Sequence, residues 1–318
     1  MTARLRAQRV LQEIGLAAGE DPVERAPSLA NEVWVLGDQV LRINPVPGSH
    51  RLRTEAELVR ALPPEIGYPA VLETGVSRAG EWILCERVPG EPLSRSWGRL
   101  DEDTRRDAVH QLGERLKLVH ATTPPRAADA ARPESPHVIE PDRLVQLVSR
   151  ARSLPHVDAA VIDGAARMIA QCATALDDPS AWVLVHGDMH FENVLWADGR
   201  ITAVLDFEFA RRGPRDLDLA TLLRFCADPR LHVADDYAAD TNARDYRQVP
   251  GWLWEVYPEL FAASHLRSRL AMYLLAFDLS QLCQNPPHVP VGDLLPFHPY
   301  HRVRRAVEGR EELASFVL

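Results

Sequence analysis

The sequence predicts an α+β protein in two unequal lobes, a small antiparallel-sheet lobe followed by a larger, mostly helical one. Three observations carry this. Strand-length apolar runs with tight-turn signals fill the first part: "NEVWVLGDQVLRI" turns at Gly37-Asp38, and "AVLETGV" and "EWILCERV" are joined at "SRAG". "PGEP" then punctuates the chain at Pro89–Pro92, and from Asp101 the apolar spacing becomes helical. Later, two short apolar runs end in acids. "VLVHGD" delivers Asp188, with Asn193 five residues on, and "AVLDFEFA" delivers Asp206 thirteen residues after that Asn. The predicted lobes are residues 1–88 and 89–318.

Taken in order, "MTARLRAQRVLQEIGL" has the spacing of an amphipathic helix and lacks the apolar stretch of a secretory leader. "RLRTEAELVRAL" (51–62) is also helical in period, inserted between the two hairpins. "DEDTRRDAVHQLGERLKLVHA" predicts a helix with acids in its first turn, where they favour the helix dipole. The Pro/Ala-rich stretch 122–141 is expected to be an exposed loop, with helices over 142–152 and 157–176. Strand, loop, a hairpin at Asp198-Gly199 and a strand over 201–210 follow. The remainder is helical apart from an acidic loop at 234–245 and a Pro-rich stretch near "NPPHVPVGDLLPFHP".

The totals exclude several classes. With 318 residues and 46% apolar side chains, the chain can bury the core of one large domain or two lobes. A net charge of −9 argues against a nucleic-acid polymer as partner. Cys85, Cys172, Cys226 and Cys283 are scattered without a CxxC pair, which predicts reduced thiols in a cytoplasmic protein and no zinc site. Leu260–Leu282 is apolar, but His265, Arg267, Arg269 and Asp278 interrupt it, so a buried helix is expected and no membrane span.

Asp188, Asn193 and Asp206 suit phosphoryl transfer from a metal–nucleotide to a hydroxyl. Asp188 is expected to accept the hydroxyl proton, while Asn193 and Asp206 offer hard oxygen ligands to Mg²⁺. Rival chemistries lack parts. A P-loop enzyme needs Gly-Lys-Ser/Thr, and a metallophosphoesterase needs a Gly-Asn element; neither occurs. A pseudokinase would be marked by loss of one of the three residues, and all are present.

"HGDMHFEN" followed by "LDFEFARRGPRDLDLA" resembles the signature of the aminoglycoside phosphotransferase-like family, small-molecule kinases of the protein-kinase-like fold. The resemblance implies that fold for the two lobes, and an enzyme moving the γ-phosphate of ATP or GTP to a small-molecule hydroxyl. The acceptor it implies is an antibiotic, for example a cationic aminoglycoside, a macrolide or a cyclic peptide. A metabolite such as an amino alcohol or sugar is the alternative. It further implies that Arg42 of "VLRI" grips the nucleotide phosphates in place of the usual lysine, with Glu55 as its partner. Lys117, the single lysine, lies too far along the chain for that role. Ser28 falls at the phosphate-loop position, and the backbone at Glu86 and Val88 at the hinge that would hold adenine.

Several neighbours are given bland or open readings. His186 is expected to be structural, His190 either a buried hydrogen-bonding group or a substrate contact, and Glu208 either a metal-site helper or an outward strand residue. Asp216 and Asp218 are expected to tie down loop backbone. Asp235, Asp236, Asp240 and Asp245 are either a solvated loop or a platform for a cationic acceptor.

Overall fold

The computed structural model describes residues 1–16, 24–26, 28, 31–129, 135–172, 182–234, 236–310 and 316. Helix α1 (Ala3–Glu13) precedes a five-stranded antiparallel sheet of β1 (Glu24–Ala26), β2 (Glu32–Leu36), β3 (Gln39–Asn44), β4 (Val71–Ser77) and β5 (Gly80–Glu86), in the order β1-β2-β3-β5-β4. Alternation along β3 and β5 decides which face each side chain serves. Leu41, Ile43, Trp82 and Leu84 pack with Trp34 against Ala7, Val10 and Leu11 of α1. Ile83 and Cys85 face the other way, onto Leu52 and Ala56 of helix α2 (Arg51–Val59). Arg42 is paired with Ile83 across the sheet and shares that second face, which aims its guanidinium at α2.

The chain leaves the sheet through β6 (Glu91–Pro92) and α3 (Leu93–Trp97) and becomes helical in α4 (Glu102–Ala121), whose N-cap Asp101 accepts from the Thr104 amide at 2.8 Å. Helices α5 (Pro141–Arg152) and α6 (Ala159–Cys172) follow; the remainder of the helix expected to reach residue 176 lies outside the described residues. Then come β7 (Val183–Val185), β8 (Val194–Ala197), β9 (Arg200–Val204), β10 (Arg211–Gly213) and α7 (Asp216–Ala227). The helices α8 (Val249–Val256), α9 (Leu266–Gln284) and α10 (Pro299–Val307) complete the larger part. One core runs through it, with α4 packed on α8, and α9 packed on α5, α7 and α10.

Three sequence expectations are corrected. Segment 122–141 is not simply an exposed loop: Ala128, Val138 and Ile139 are buried in the main core, and His137 is buried with them. Its apolar Val-Ile pair outweighs the Pro and Ala around it, since burying two such side chains contributes roughly 1.5–3 kcal/mol each. The strand expected over 201–210 ends at Val204; Asp206 is left-handed (φ 65°, ψ 57°) and residues 207–209 form one 3-10 turn. The chain then re-enters a ladder as β10, antiparallel to β7, a pairing the sequence pattern does not announce. Asp216 does not hold loop backbone: it pairs with Arg269 at 2.6 Å and accepts from the Tyr273 hydroxyl at 3.2 Å.

Leu260–Leu282 became mostly α9, a buried helix whose Asp278 pairs with Arg224 at 2.9 Å and Arg302 at 2.7 Å. Among the described residues no helix is long and apolar enough to cross a membrane. No disulfide joins the four cysteines, and Cys85, Cys226 and Cys283 are buried.

Candidate active site

A cavity of about 1700 Å³ runs between the sheet and the helices. Ser28, Arg42, Glu86, Val88, Asp188, Asn193 and Asp206 all line it, and Glu55 stands directly behind Arg42. The sites named from sequence are therefore brought together.

The short strand β7 points the chain at the cavity, and Gly187 (φ 80°) turns it so that Asp188 faces inward. A Cβ at Gly187 would stand 2.5 Å from the Phe209 carbonyl oxygen, so the turn requires glycine for space as well as for φ. Asp218, at the start of α7, locks this turn: its carboxylate accepts from the His186 amide at 2.8 Å and the Gly187 amide at 2.7 Å. His120 Nε2 lies 3.0 Å from the same carboxylate. Burial would raise the Asp218 carboxyl, but His120 and these donors hold it below its ordinary value. His186 is structural. Its Nε2 meets the Leu205 carbonyl at 2.8 Å, joining the Asp188 turn to the residue before Asp206.

Asp188 is a quarter exposed, with an imidazole at each carboxylate oxygen. His137 Nε2 is 3.5 Å from Oδ1 and His190 Nε2 is 3.5 Å from Oδ2. Burial alone would push the Asp188 carboxyl up; His190 and His137 outweigh it and hold it well below the usual carboxylate range. The two imidazoles thus favour the ionised form of the Asp188 carboxylate. Burial disfavours the cation on His190, but Asp188 overcomes this and raises it, whereas for His137 burial wins and lowers it. The third imidazole of the group, His232, lies tilted beside His190 at 5.4 Å between centroids and is held well below its ordinary value by burial, His190 and Arg224.

Asn193 sits on the same turn. Its amide nitrogen donates to the Asp188 carbonyl at 2.9 Å, which directs the amide oxygen to other partners. Its backbone carbonyl accepts from the Leu205 amide at 2.8 Å, bringing the Asp206 loop alongside.

On the sheet side Arg42 bridges two acids, with Nη1 2.8 Å from Glu55 and Nη2 2.6 Å from Asp206. Glu55 also accepts from the Tyr68 hydroxyl at 2.9 Å and the Phe207 amide at 3.0 Å, so α2 is tied to the Asp206 turn. Burial would weaken the Arg42 cation, but Glu55 and Asp206 hold it well above its usual value. Glu208 is not an outward strand residue. It is buried, bonded to Arg51, and accepts from Asn31 at 3.0 Å. Carboxylate oxygens of Glu55, Asp206 and Glu208 lie within 4.8 Å of one another. Burial, followed by Asp206, pushes the Glu208 carboxyl up to about 7. Hard oxygen donors converging on a partly exposed Asp206 suit a small divalent cation such as Mg²⁺.

His137, Asn31, Arg51 and Tyr68 were not singled out from sequence. Each belongs to a segment distant in the chain from its partner, and no local pattern marks them. Of the described acids in loop 234–245, Asp236 alone lines the cavity, and it pairs with Arg95 at 3.0 Å; Asp235 lies outside the described residues. Asp245 uses its carbonyl to accept from the Trp97 indole at 2.9 Å.

A two-lobed fold with this cavity defines a small-molecule phosphotransferase of kinase-like architecture. The chain belongs to the phosphotransferase enzyme family, whose profile matches residues 23–252. Solved structures agree in fold. Aminoglycoside phosphotransferase APH(4)-Ia is 18% identical with a TM-score of 0.65, covering 99% of this chain and 100% of that one. A choline/ethanolamine kinase family protein from Mesorhizobium loti is 20% identical, TM-score 0.62, covering 99% of both chains. Aminoglycoside phosphotransferase APH(3'')-Id from Streptomyces rimosus is 18% identical, TM-score 0.59, covering 87% of this chain and 98% of that one. Among proteins of curated function none matches the sequence.

Proposed function

We propose that this enzyme transfers the γ-phosphate of ATP or GTP to a hydroxyl of a small molecule, in the cytoplasm, with Mg²⁺ bound. The observation that supports this most is the convergence of Asp188, Asn193, Asp206 and Arg42 on one cavity. Asp188 takes the proton as the acceptor oxygen bonds to the γ-phosphorus and the bond to the β,γ-bridging oxygen breaks. Its two imidazole neighbours favour the ionised form that this step requires. Asn193 and Asp206 would hold the metal, which would supply charge neutralisation at the phosphates. Arg42, oriented by Glu55, grips the donor phosphates from the sheet side. Before nucleotide arrives, Arg42 and Asp206 neutralise each other. Ser28 belongs to the loop over the phosphates, and the backbone at Glu86 and Val88 meets the base; all three line the sheet-side cavity. The lobes divide near residue 88.

The acceptor class we favour is an antibiotic, since solved relatives of this fold include complexes with streptomycin and with kanamycin. A metabolite acceptor is the second reading, favoured by the likeness to a choline/ethanolamine kinase family protein. Nucleotide consumption with ³²P transfer to a panel of both classes tests the activity. Asp188→Asn should lower turnover by about 10²–10⁴-fold and leave nucleotide affinity near the wild-type value. Near-normal turnover in that variant would remove Asp188 from its role.

A further inference from the structure

Beyond Asp188 the cavity continues toward α9 and the loop that joins it to α10. Phe277, Gln281 and Gln284 all line it, spaced i, i+4, i+7 on one face of α9. Phe277 begins next to the chemistry: its ring lies 4.8 Å from that of His137, whose Nε2 approaches Asp188. The loop after α9 then carries Val289, Leu295 and Phe297 into the same cavity, exposed by 41%, 61% and 58%. Elsewhere among the described residues large apolar side chains this exposed come singly or in pairs, as Leu72 with Val76; here three stand within nine positions on one wall. They are held in place. The Phe297 carbonyl accepts from buried Arg302 at 2.6 Å, and the His298 amide bonds back to the Leu295 carbonyl at 2.9 Å. Leu231 and Val233 line the cavity as well.

We infer that the acceptor carries its hydroxyl on a large, predominantly apolar body that packs on Val289, Leu295 and Phe297, with Gln281 and Gln284 offered to its polar groups. This rests on the phosphotransfer reading and names the acceptor chemistry within it. Continuity of the wall with Asp188 argues for the acceptor itself as occupant, in preference to a second copy of the chain.

The test uses full-length protein with MgADP and three probes that share one set of sugar hydroxyls: methyl, hexyl and octyl β-D-glucosides below their micelle concentrations. Calorimetric titration should show affinity rising with alkyl length. Leu295→Ser/Phe297→Ser should abolish that rise, about a 10–100-fold loss for the octyl compound. The variant's ADP affinity and melting temperature should match wild type, since both side chains are exposed. Affinity independent of alkyl length, or a length dependence the double variant retains, overturns the inference. So does a concentration-dependent dimer in sedimentation that the double variant abolishes, because the wall would then be an interface between copies. Binding does not require turnover, so the two readings fail separately. Octyl glucoside binding without phosphorylation of any hydroxyl acceptor would count against the phosphotransfer reading alone.

Discussion

Arg42→Met exposes how much of the site's order depends on one cation. Methionine keeps the stem and length and removes the charge from between Glu55 and Asp206. Breaking a buried ion pair by removing one partner costs about 3–5 kcal/mol. Two features place this case at the low end. Glu55 retains the Tyr68 hydroxyl and the Phe207 amide as donors, and Asp206, with 30% of its side chain exposed, can be hydrated. A loss of about 3 kcal/mol corresponds to a fall of roughly 4–5 °C in melting temperature for a chain of this size. Calorimetry in EDTA measures it.

The same variant makes a second statement. Three carboxylates within 4.8 Å without their arginine should welcome a divalent cation more than they do in the wild type. Adding Mg²⁺ should therefore recover more stability in Arg42→Met than in wild type. Activity should fall by the same factor for every acceptor if, as proposed, Arg42 acts on the donor alone, and Arg42→Lys should restore part of it with a point charge but no bidentate fork. A variant as stable as wild type in EDTA, or a loss whose size depends on the acceptor, would refute the reasoning.

Asp206→Ala should abolish activity and the Mg²⁺ dependence of nucleotide binding, with Asn193→Ala milder because a neutral amide contributes less charge; unchanged metal dependence in Asp206→Ala would count against the metal assignment. His137→Phe keeps ring packing on Phe277 but removes the nitrogen facing Asp188, so kcat should fall by about tenfold at constant nucleotide KM, the low end for a hydrogen bond to a charged group. Glutamine at that position should restore part of the loss, and equal kcat in both variants would make His137 a packing residue only. His232 is held neutral by burial, His190 and Arg224, so its folded pKa lies below the unfolded value near 6.5. The unfolded chain then binds a proton that the folded one refuses, and stability present above pH 6.5 is lost as pH falls, by up to ~1.4 kcal/mol per pH unit. His137 contributes in the same direction and His190 in the opposite one. His232→Phe should flatten the stability profile on the acid side of pH 6.5, and an unchanged slope in urea titrations at several pH values would remove His232 from that account.

What could be read in the sequence divides along a physical line. Period-two alternation in "VLRI" and "EWILCERV" fixes which side chains share a face, so the pattern that buries Leu41 and Ile43 against α1 also turns Arg42 toward α2. Asp188 and Asn193 sit on one local turn, where spacing along the chain is nearly spacing in space. Those parts were legible because short-range backbone geometry decides them. His137 was not: it reaches Asp188 from 51 positions earlier in the chain, in a stretch whose Pro and Ala content suggested exposure. Asn31 meets Glu208 across 177 positions. The acidic loop stayed open for a related reason. A count of Asp residues gives charge but no direction, and direction depends on pairings such as Asp236 with Arg95 that only the packed chain creates. The same logic bears on the acceptor wall. Val289, Leu295 and Phe297 read in sequence as three apolar residues in a Pro-rich loop. Contacts made in the packed chain, Arg302 reaching from α10 to the Phe297 carbonyl among them, hold that loop beside the cleft.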